Sequence, residues 1–275
     1  MSSDTVAIVV PCYKAELNAT EQIAYRRIWE VYGHVPIIMM APPWLDTIGY
    51  VAEHPTLKVE RFEFRTVRDY SQLLLQSHFY ERFRAQRYIL IYQLDCYILR
   101  DELGAWCERG YDYIGAPLFC DFEPVQPEGK LWRVGNGGFS LRNVESALKV
   151  LASRKRYQTP KQHWTTTRPS DTTVGKAKWG LEGFLKFTRF HNDVRWATLC
   201  NFHEDVFWSV DALHFLPEFK IPDLQTGLQF AFDYAPAYCY EQAGRRLPFA
   251  CHAWPRYDLP FWQRFIPEAA SLPVA

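Results

Sequence analysis

"YILIYQLDCYIL", residues 88–99, decides how the rest of the chain is read. Tyr88 to Tyr92 form a short continuous apolar run of the kind that fills a strand buried on both faces. The run then breaks at Gln93, places one carboxylate at Asp95 and turns apolar again. In open α/β sheets ligands sit beyond the carboxyl ends of the strands, so an acid just past such a strand stands at the mouth of a crevice. The plainer alternative is that Asp95 caps the next segment or pairs with a neighbouring arginine.

Upstream, "TVAIVVPCY" (5–13) is a β-branched run closed by Pro11, a buried strand ending at a loop. "NATEQIAYRRIWEVYG" (18–33) offers Asn18 as a cap, Glu21 three residues on and Gly33 past the end, a helix marked at both ends. "VPIIMMAPPW" (35–44) reads as a second strand stopped by Pro42 and Pro43, and the alternating "LKVERFEF" (57–64) as a third. "YSQLLLQSHFYERFRAQ" (70–86) carries Leu74, Leu75, Phe79 and Phe83 on one stripe and predicts an amphipathic helix leading into the opening stretch. This alternation of strands and helices predicts an α/β fold, a mostly parallel sheet covered by helices, over the first hundred residues.

Beyond Asp101 the pattern loosens. "DELGAWCERG" (101–110) reads as a short helix, "YDYIGAP" (111–117) as a short strand and "GNGGFSL" (135–141) as a turn into a strand. "NVESALKVLASRK" (143–155) reads as a helix and residues 157–180 as a long polar loop, with helical candidates at 181–196 and 204–215. There is no internal repeat, low-complexity tract or linker, so 1–275 is expected to be a single domain with an elaborated second half.

Lys+Arg and Asp+Glu number 31 each, so no net field draws the chain to nucleic acid or anionic lipid. Locally, residues 151–195 hold ten basic side chains against three acids, which reads as a solvated face or as an acceptor-binding insert for anionic glycan or lipid-linked phosphate. Aromatics make up 16% of the chain, which fits either a ring-filled core or rings that stack on sugars and bases. The seven cysteines are odd in number and form no CxxC pair, so they are expected to be reduced thiols. The N-terminus lacks the basic and long apolar regions of a signal peptide and no run approaches a membrane span, so a cytoplasmic protein is expected.

Three further stretches bear on chemistry. "GNGGFSLR" (135–142) places glycines where backbone can approach a ligand closely, although Asn136–Gly137 is also a strong hairpin-turn signal. "HEDVFWS" (203–209) sets Glu204 and Asp205 at the start of a helical run, either as acids favoured there by the dipole or as a candidate general base. "LPFACHAWPRYD" (247–258) brings His252 beside Trp254.

Together, residues 79–117, "VGNGGFSLR", "HEDVFWS" and "LPFACHAW", in that order, resemble a family of mostly bacterial proteins, a domain of unknown function, classed as glycosyltransferases of the GT-A fold. The likeness spans roughly residues 5 to 265. It implies a Rossmann-like mixed sheet flanked by helices, with a nucleotide-sugar-binding half (about 1–100) and an acceptor-binding half (about 101–275). In GT-A enzymes a strand-end Asp-x-Asp holds a divalent metal on the donor diphosphate. Here the triplet is Gln93-Leu94-Asp95, so only the last acid is present. The resemblance implies Mn²⁺ or Mg²⁺ on Asp95 and His252, with Arg133 or Arg142 sharing the leaving-group charge if Gln93 weakens the site. It assigns Asp205 as the base of an inverting transfer and Glu204 as its neighbour or a sugar-binding residue. It further implies Pro11, Cys12, Tyr13 and Gln93 bordering the nucleotide and Gly137 and Gly138 lining the pocket near the sugar. A bacterial surface polysaccharide or lipopolysaccharide, made with a lipid-linked or glycan acceptor at the inner face of the membrane, is the setting it suggests. A non-catalytic carbohydrate-binding protein stays open because an acid is missing at position 93, and a sugar-phosphate nucleotidyltransferase because it can use a similar sheet and metal, although the first loop offers only Lys14 to grip a triphosphate.

Overall fold

The computed structural model describes residues 5–120, 130–159, 161, 162, 165, 171–185, 192–200 and 203–273. Its main sheet has six strands in the order β3–β2–β1–β4–β9–β6: Lys58–Arg61, Ile37–Ala41, Val6–Pro11, Tyr88–Tyr92, Phe139–Asn143 and Tyr113–Gly115. The first four run parallel, β9 runs antiparallel to β4, and β6 antiparallel to β9. The fold is therefore mixed α/β, as the strand–helix alternation predicts.

Side-chain alternation on β1 and β4 feeds two cores. Val6, Ile8 and Val10 with Tyr88, Leu90 and Tyr92 pack on one face against the helix Ala19–Tyr32 through Ala24, Tyr25, Ile28 and Tyr32. Ala7, Val9, Ile89 and Ile91 face the other way, toward Phe79, Tyr80, Val144, Phe207 and Trp208. Burial on both faces explains why these strands read as unbroken apolar runs. The helix Ala19–Tyr32 starts with the expected capping box, Asn18 accepting from the Glu21 N–H and Glu21 accepting from the Asn18 N–H.

The helix expected at 70–86 is two helices, Val67–Leu73 and Ser77–Glu81. Leu74 and Leu75 are both buried between them, and the Leu74 carbonyl accepts from the Tyr80 hydroxyl (3.1 Å) and the Trp208 indole (3.3 Å). Asn136–Gly137 makes no hairpin. β8 (Leu131–Val134) pairs with β7 (Pro117–Phe119), whereas β9 joins the main sheet, so residues 135–138 cross between two sheets. The loop expected at 157–180 gives way to a helix at Thr173–Leu185. The 181–196 candidate is divided among that helix, the start of Val194–Cys200 and residues 186–191, which lie outside the described residues, as do Arg168, Lys186 and Arg189 of the basic stretch. Residues 204–215 are helical as expected, with a π-helical turn at Phe207–Asp211.

A three-stranded sheet, β10–β11–β5, carries Ala231–Phe232, Ala250–Cys251 and Tyr97–Ile98. Its aromatic surroundings include Trp254, Phe261 and Trp262. Six cysteines (12, 96, 107, 120, 239, 251) are free thiols, five of them buried. Among the described residues no helix is long and apolar enough to cross a membrane.

Candidate active site

The sheet order reverses between β1 and β4, which is where ligands bind in open α/β sheets. A cleft of about 470 Å³ opens there, lined by Pro11 at the end of β1 with Cys12 and Tyr13 after it, by Gln93, Leu94 and Asp95 after β4, and by Phe64 to Val67 and Tyr70 beyond β3. Tyr13 is exposed, Lys14 is tied to Glu21 at 2.6 Å, and the Arg65 guanidinium sits 4.8 Å from the Trp44 ring centre. Cys12 is buried on the Tyr50 hydroxyl and the Lys14 carbonyl, and burial pushes its thiol up, away from reactivity.

Strand register assembles the polar cluster at the end of this cleft. β11 pairs antiparallel with β5, Cys251 opposite Tyr97, so His252 falls beside the turn that carries Asp95, and the Trp254 N–H reaches the Asp95 carbonyl at 3.3 Å. β10 runs parallel to β11 with Phe232 opposite Cys251, which sets Asp233 next to His252. The outcome is an imidazole held on both nitrogens: Nδ1 lies 2.9 Å from Asp233 Oδ1, while Nε2 lies 3.1 Å from Gln93 Oε1 and 3.4 Å from Asp95 Oδ1. Burial pulls the imidazole down, but the Asp233 and Asp95 carboxylates outweigh it and push it up to about 10. Burial raises Asp95 in turn, and His252 more than offsets that, holding the carboxyl below the usual range.

This cluster suits a divalent cation. Ligand atoms of Asp95, Cys96 and His252 lie within 4.8 Å of one another. Asp95 Oδ1 faces His252 Nε2 at 3.4 Å, and Asp233 orients the imidazole from behind, the usual arrangement for a ligating histidine; a cation there would take the place of the Nε2 proton. Cys96 is the poor member: its thiol donates to the Gly138 carbonyl at 3.4 Å, and burial, its largest influence, pushes it well up. The carboxylate oxygen of Asp95 is a donor for hard cations such as Mn²⁺ or Mg²⁺, whereas the imidazole of His252 is one that other divalent ions take as readily.

The second half of the site is built on β9. Antiparallel pairing of Tyr92 with Phe139 brings Gly138 opposite Gln93, whose N–H donates to the Gly138 carbonyl at 3.1 Å. A Cβ at Gly138 would lie 2.1 Å from His252 Nε2, and one at Gly137 would lie 2.1 Å from Glu204 Oε1 and 3.3 Å from the Asp205 Cβ. Two consecutive glycines therefore hold the His252 cluster on one side and the Glu204–Asp205 pair on the other. Asn136 completes the link, its amide donating to Asp233 Oδ2 at 2.9 Å and its oxygen accepting from the Gly138 N–H.

Asp205 is half-buried and accepts the Val206 N–H at 2.8 Å. Burial raises its carboxyl, with the Val206 bond opposing, which makes it a stronger base than an exposed aspartate. Glu204 is sealed inside, its two oxygens each 2.8 Å from a nitrogen of the Arg142 guanidinium. Arg142 and Arg133 do not face the cleft: Arg142 is taken by Glu204, and Arg133 donates to the Ser209 carbonyl at 3.0 Å, inside the π-helical turn. Lys14 and Arg65 are the cationic residues that line it.

The structure thus brings Asp95 and His252 into direct contact and joins them to Glu204 and Asp205 through Gly137 and Gly138. Pro11, Cys12, Tyr13, Gln93 and Asp95 share the cleft, and Gln93 and Asp95 join it to the His252 cluster. Asp233, the 64–70 wall and the Arg142–Glu204 pair were not foreseen. Only Asp233 left a signal, as the acid ending the apolar run "FAFD" (230–233), the same pattern that marks Asp95.

None of the curated proteins matches the chain. Solved structures similar to it include a glycosyltransferase involved in the glycosylation of the major capsid of PBCV-1, at 11% identity over 90% of this chain and 92% of that one, with a TM-score of 0.41. The galactosyltransferase LgtC in complex with donor and acceptor sugar analogs is similar at 14% identity, over 98% of this chain and 97% of that one, TM-score 0.46. A 4-diphosphocytidyl-2C-methyl-D-erythritol synthase is similar at 15% identity, over 54% of this chain and 79% of that one, TM-score 0.35. The family described as "Protein of unknown function (DUF5672)" matches residues 56–252, well over half of the chain, and the chain belongs to that family.

Proposed function

We propose that the protein is an inverting glycosyltransferase that moves a sugar from a nucleotide donor to a glycan or lipid-linked glycan acceptor. The observation that carries this reading is the pair of adjacent glycines with a cation-competent cluster on one side and a raised carboxylate on the other. The nucleotide lies in the cleft against Pro11, Cys12, Tyr13 and Gln93, and the donor sugar lies toward Gly137 and Gly138. Asp95 and His252 hold a divalent cation, which when bound supplies charge neutralisation for the departing diphosphate. The acceptor hydroxyl attacks the anomeric carbon, and the carbon–oxygen bond to the diphosphate breaks with its electron pair on the nucleoside diphosphate. The hydroxyl proton passes to Asp205. The basic residues of 151–195 suit an anionic acceptor or the inner face of a bacterial membrane during surface-polysaccharide synthesis.

Thermal shift and calorimetry with nucleoside diphosphates and nucleotide sugars, each with and without Mn²⁺, test the reading. A rise in melting temperature with one nucleotide class, larger with Mn²⁺, together with slow donor hydrolysis, is the expected outcome. Glycan binding with no nucleotide binding would make this a carbohydrate-binding protein. Pyrophosphate release from a nucleoside triphosphate and a sugar phosphate would make it a nucleotidyltransferase.

A further inference from the structure

Arg142 and Glu204 are the most deeply buried ion pair among the described residues, their side chains 2% and 6% exposed. Such a pair is rarely kept for stability alone, because desolvation of both charges offsets most of their attraction. Here every donor of the guanidinium has an assigned place. Nη1 reaches Glu204 Oε2 (2.8 Å) and the Tyr80 hydroxyl (3.2 Å). Nη2 reaches Glu204 Oε1 (2.8 Å) and the Gly137 carbonyl (3.3 Å), and Nε reaches Ser140 Oγ (3.0 Å). Ser140 in turn donates to the same Gly137 carbonyl at 2.9 Å. One guanidinium therefore grips both partners of the tight Gly137–Glu204 contact, and Asp205 is the next residue along.

We propose that Arg142 and Glu204 are positioning residues that fix Asp205 at a set distance from the His252 cluster, with Gly137–Gly138 as the spacer. Arg142 holds the spacer by its carbonyl, and Glu204 brings the first turn of the 204–215 helix onto it. Neither side chain touches substrate. The inference rests on the glycosyltransferase reading, with Asp205 as base.

The test uses purified full-length protein and single-turnover hydrolysis of whichever nucleotide sugar the wild type binds. The double variant R142M/E204L replaces the pair with apolar side chains of similar bulk, which leaves folding near neutral. It is expected to melt within a few degrees of wild type, to bind the nucleoside diphosphate with Mn²⁺ at wild-type affinity, and to turn over about 100-fold more slowly at unchanged KM, the scale of a misplacement of about 1 Å. The single variant Glu204→Gln keeps the shape and leaves Arg142 charged. Asp205 is faced by Arg142, His203, Glu204 and Asp233, so loss of the Glu204 charge should move the acid limb of the rate profile to lower pH. A folded double variant with wild-type turnover, or a Glu204→Gln variant with unchanged rate and pH limb, would overturn the proposal. A wild type that binds no nucleotide sugar would instead sink the reading beneath it.

Discussion

The two ends of the site solve opposite problems. At the Asp95 end, the carboxylate is loosely held and open to the cleft: its side chain is 41% exposed and its Oδ1 lies 3.4 Å from His252 Nε2. At the Glu204 end, a buried carboxylate and guanidinium have every need met by protein. A carboxylate that lines a cleft with only a long contact to protein keeps lone pairs for a ligand. A fully satisfied buried network instead rigidifies and specifies. The contrast separates the surface that meets ligand from the device that holds it in place.

The largest expected effect breaks the satisfied end. Arg142→Met leaves Glu204 buried and unpaired and should cost roughly 3–5 kcal/mol of stability in denaturant unfolding, whereas the double replacement above should not. Next come the spacer glycines. Gly138→Ala drives a methyl into an imidazole pinned from both sides, and an overpacking loss of about 1–3 kcal/mol, with loss of cation binding, should appear in melts with and without Mn²⁺. At the open end, Asp233→Asn removes the partner that orients His252 and should weaken Mn²⁺ affinity by about 10–100-fold in calorimetry, with little change in the fold.

The smallest effect concerns Asp205 and pH. Because burial raises its folded-state pKa, the charged form is less at ease in the folded than in the unfolded chain. Its ionisation therefore lowers stability as pH rises from the ordinary aspartate value through the raised one, and the deficit persists above. Asp205→Asn should melt slightly higher than wild type at neutral pH, and the gap should close once both are compared below the ordinary aspartate range of about 4. A variant more stable and less active is the expected mark of a residue kept for chemistry.

Much of this was legible in the sequence for one physical reason. Strands buried on both faces are unbroken apolar runs, so Asp95 after "YILIY" announces a strand end, and chain order then places it at the sheet's switch point. The capping box at Asn18 and Glu21 is read from spacing alone because both partners are local. What escaped depends on non-local pairing. Asp233 joins His252 only because β10 and β11 lie side by side in register, and no periodicity along the chain encodes that. Arg142 and Glu204 lie 62 residues apart, and a lone arginine on a short strand gives no hint that its partner is an acid at a helix start. The break at Leu74–Gln76 was hidden likewise, since the groups that satisfy the Leu74 carbonyl come from Tyr80 and the distant Trp208.

The most direct measurement is single-turnover donor consumption by Asp205→Asn beside calorimetric affinity for the same nucleotide sugar with Mn²⁺. Loss of turnover by about 10²–10⁴-fold at wild-type affinity is the predicted result, because the base is removed and the cleft left whole. Wild-type turnover by that variant, or affinity that falls as far as the rate, would contradict the assignment of the two ends to one reaction.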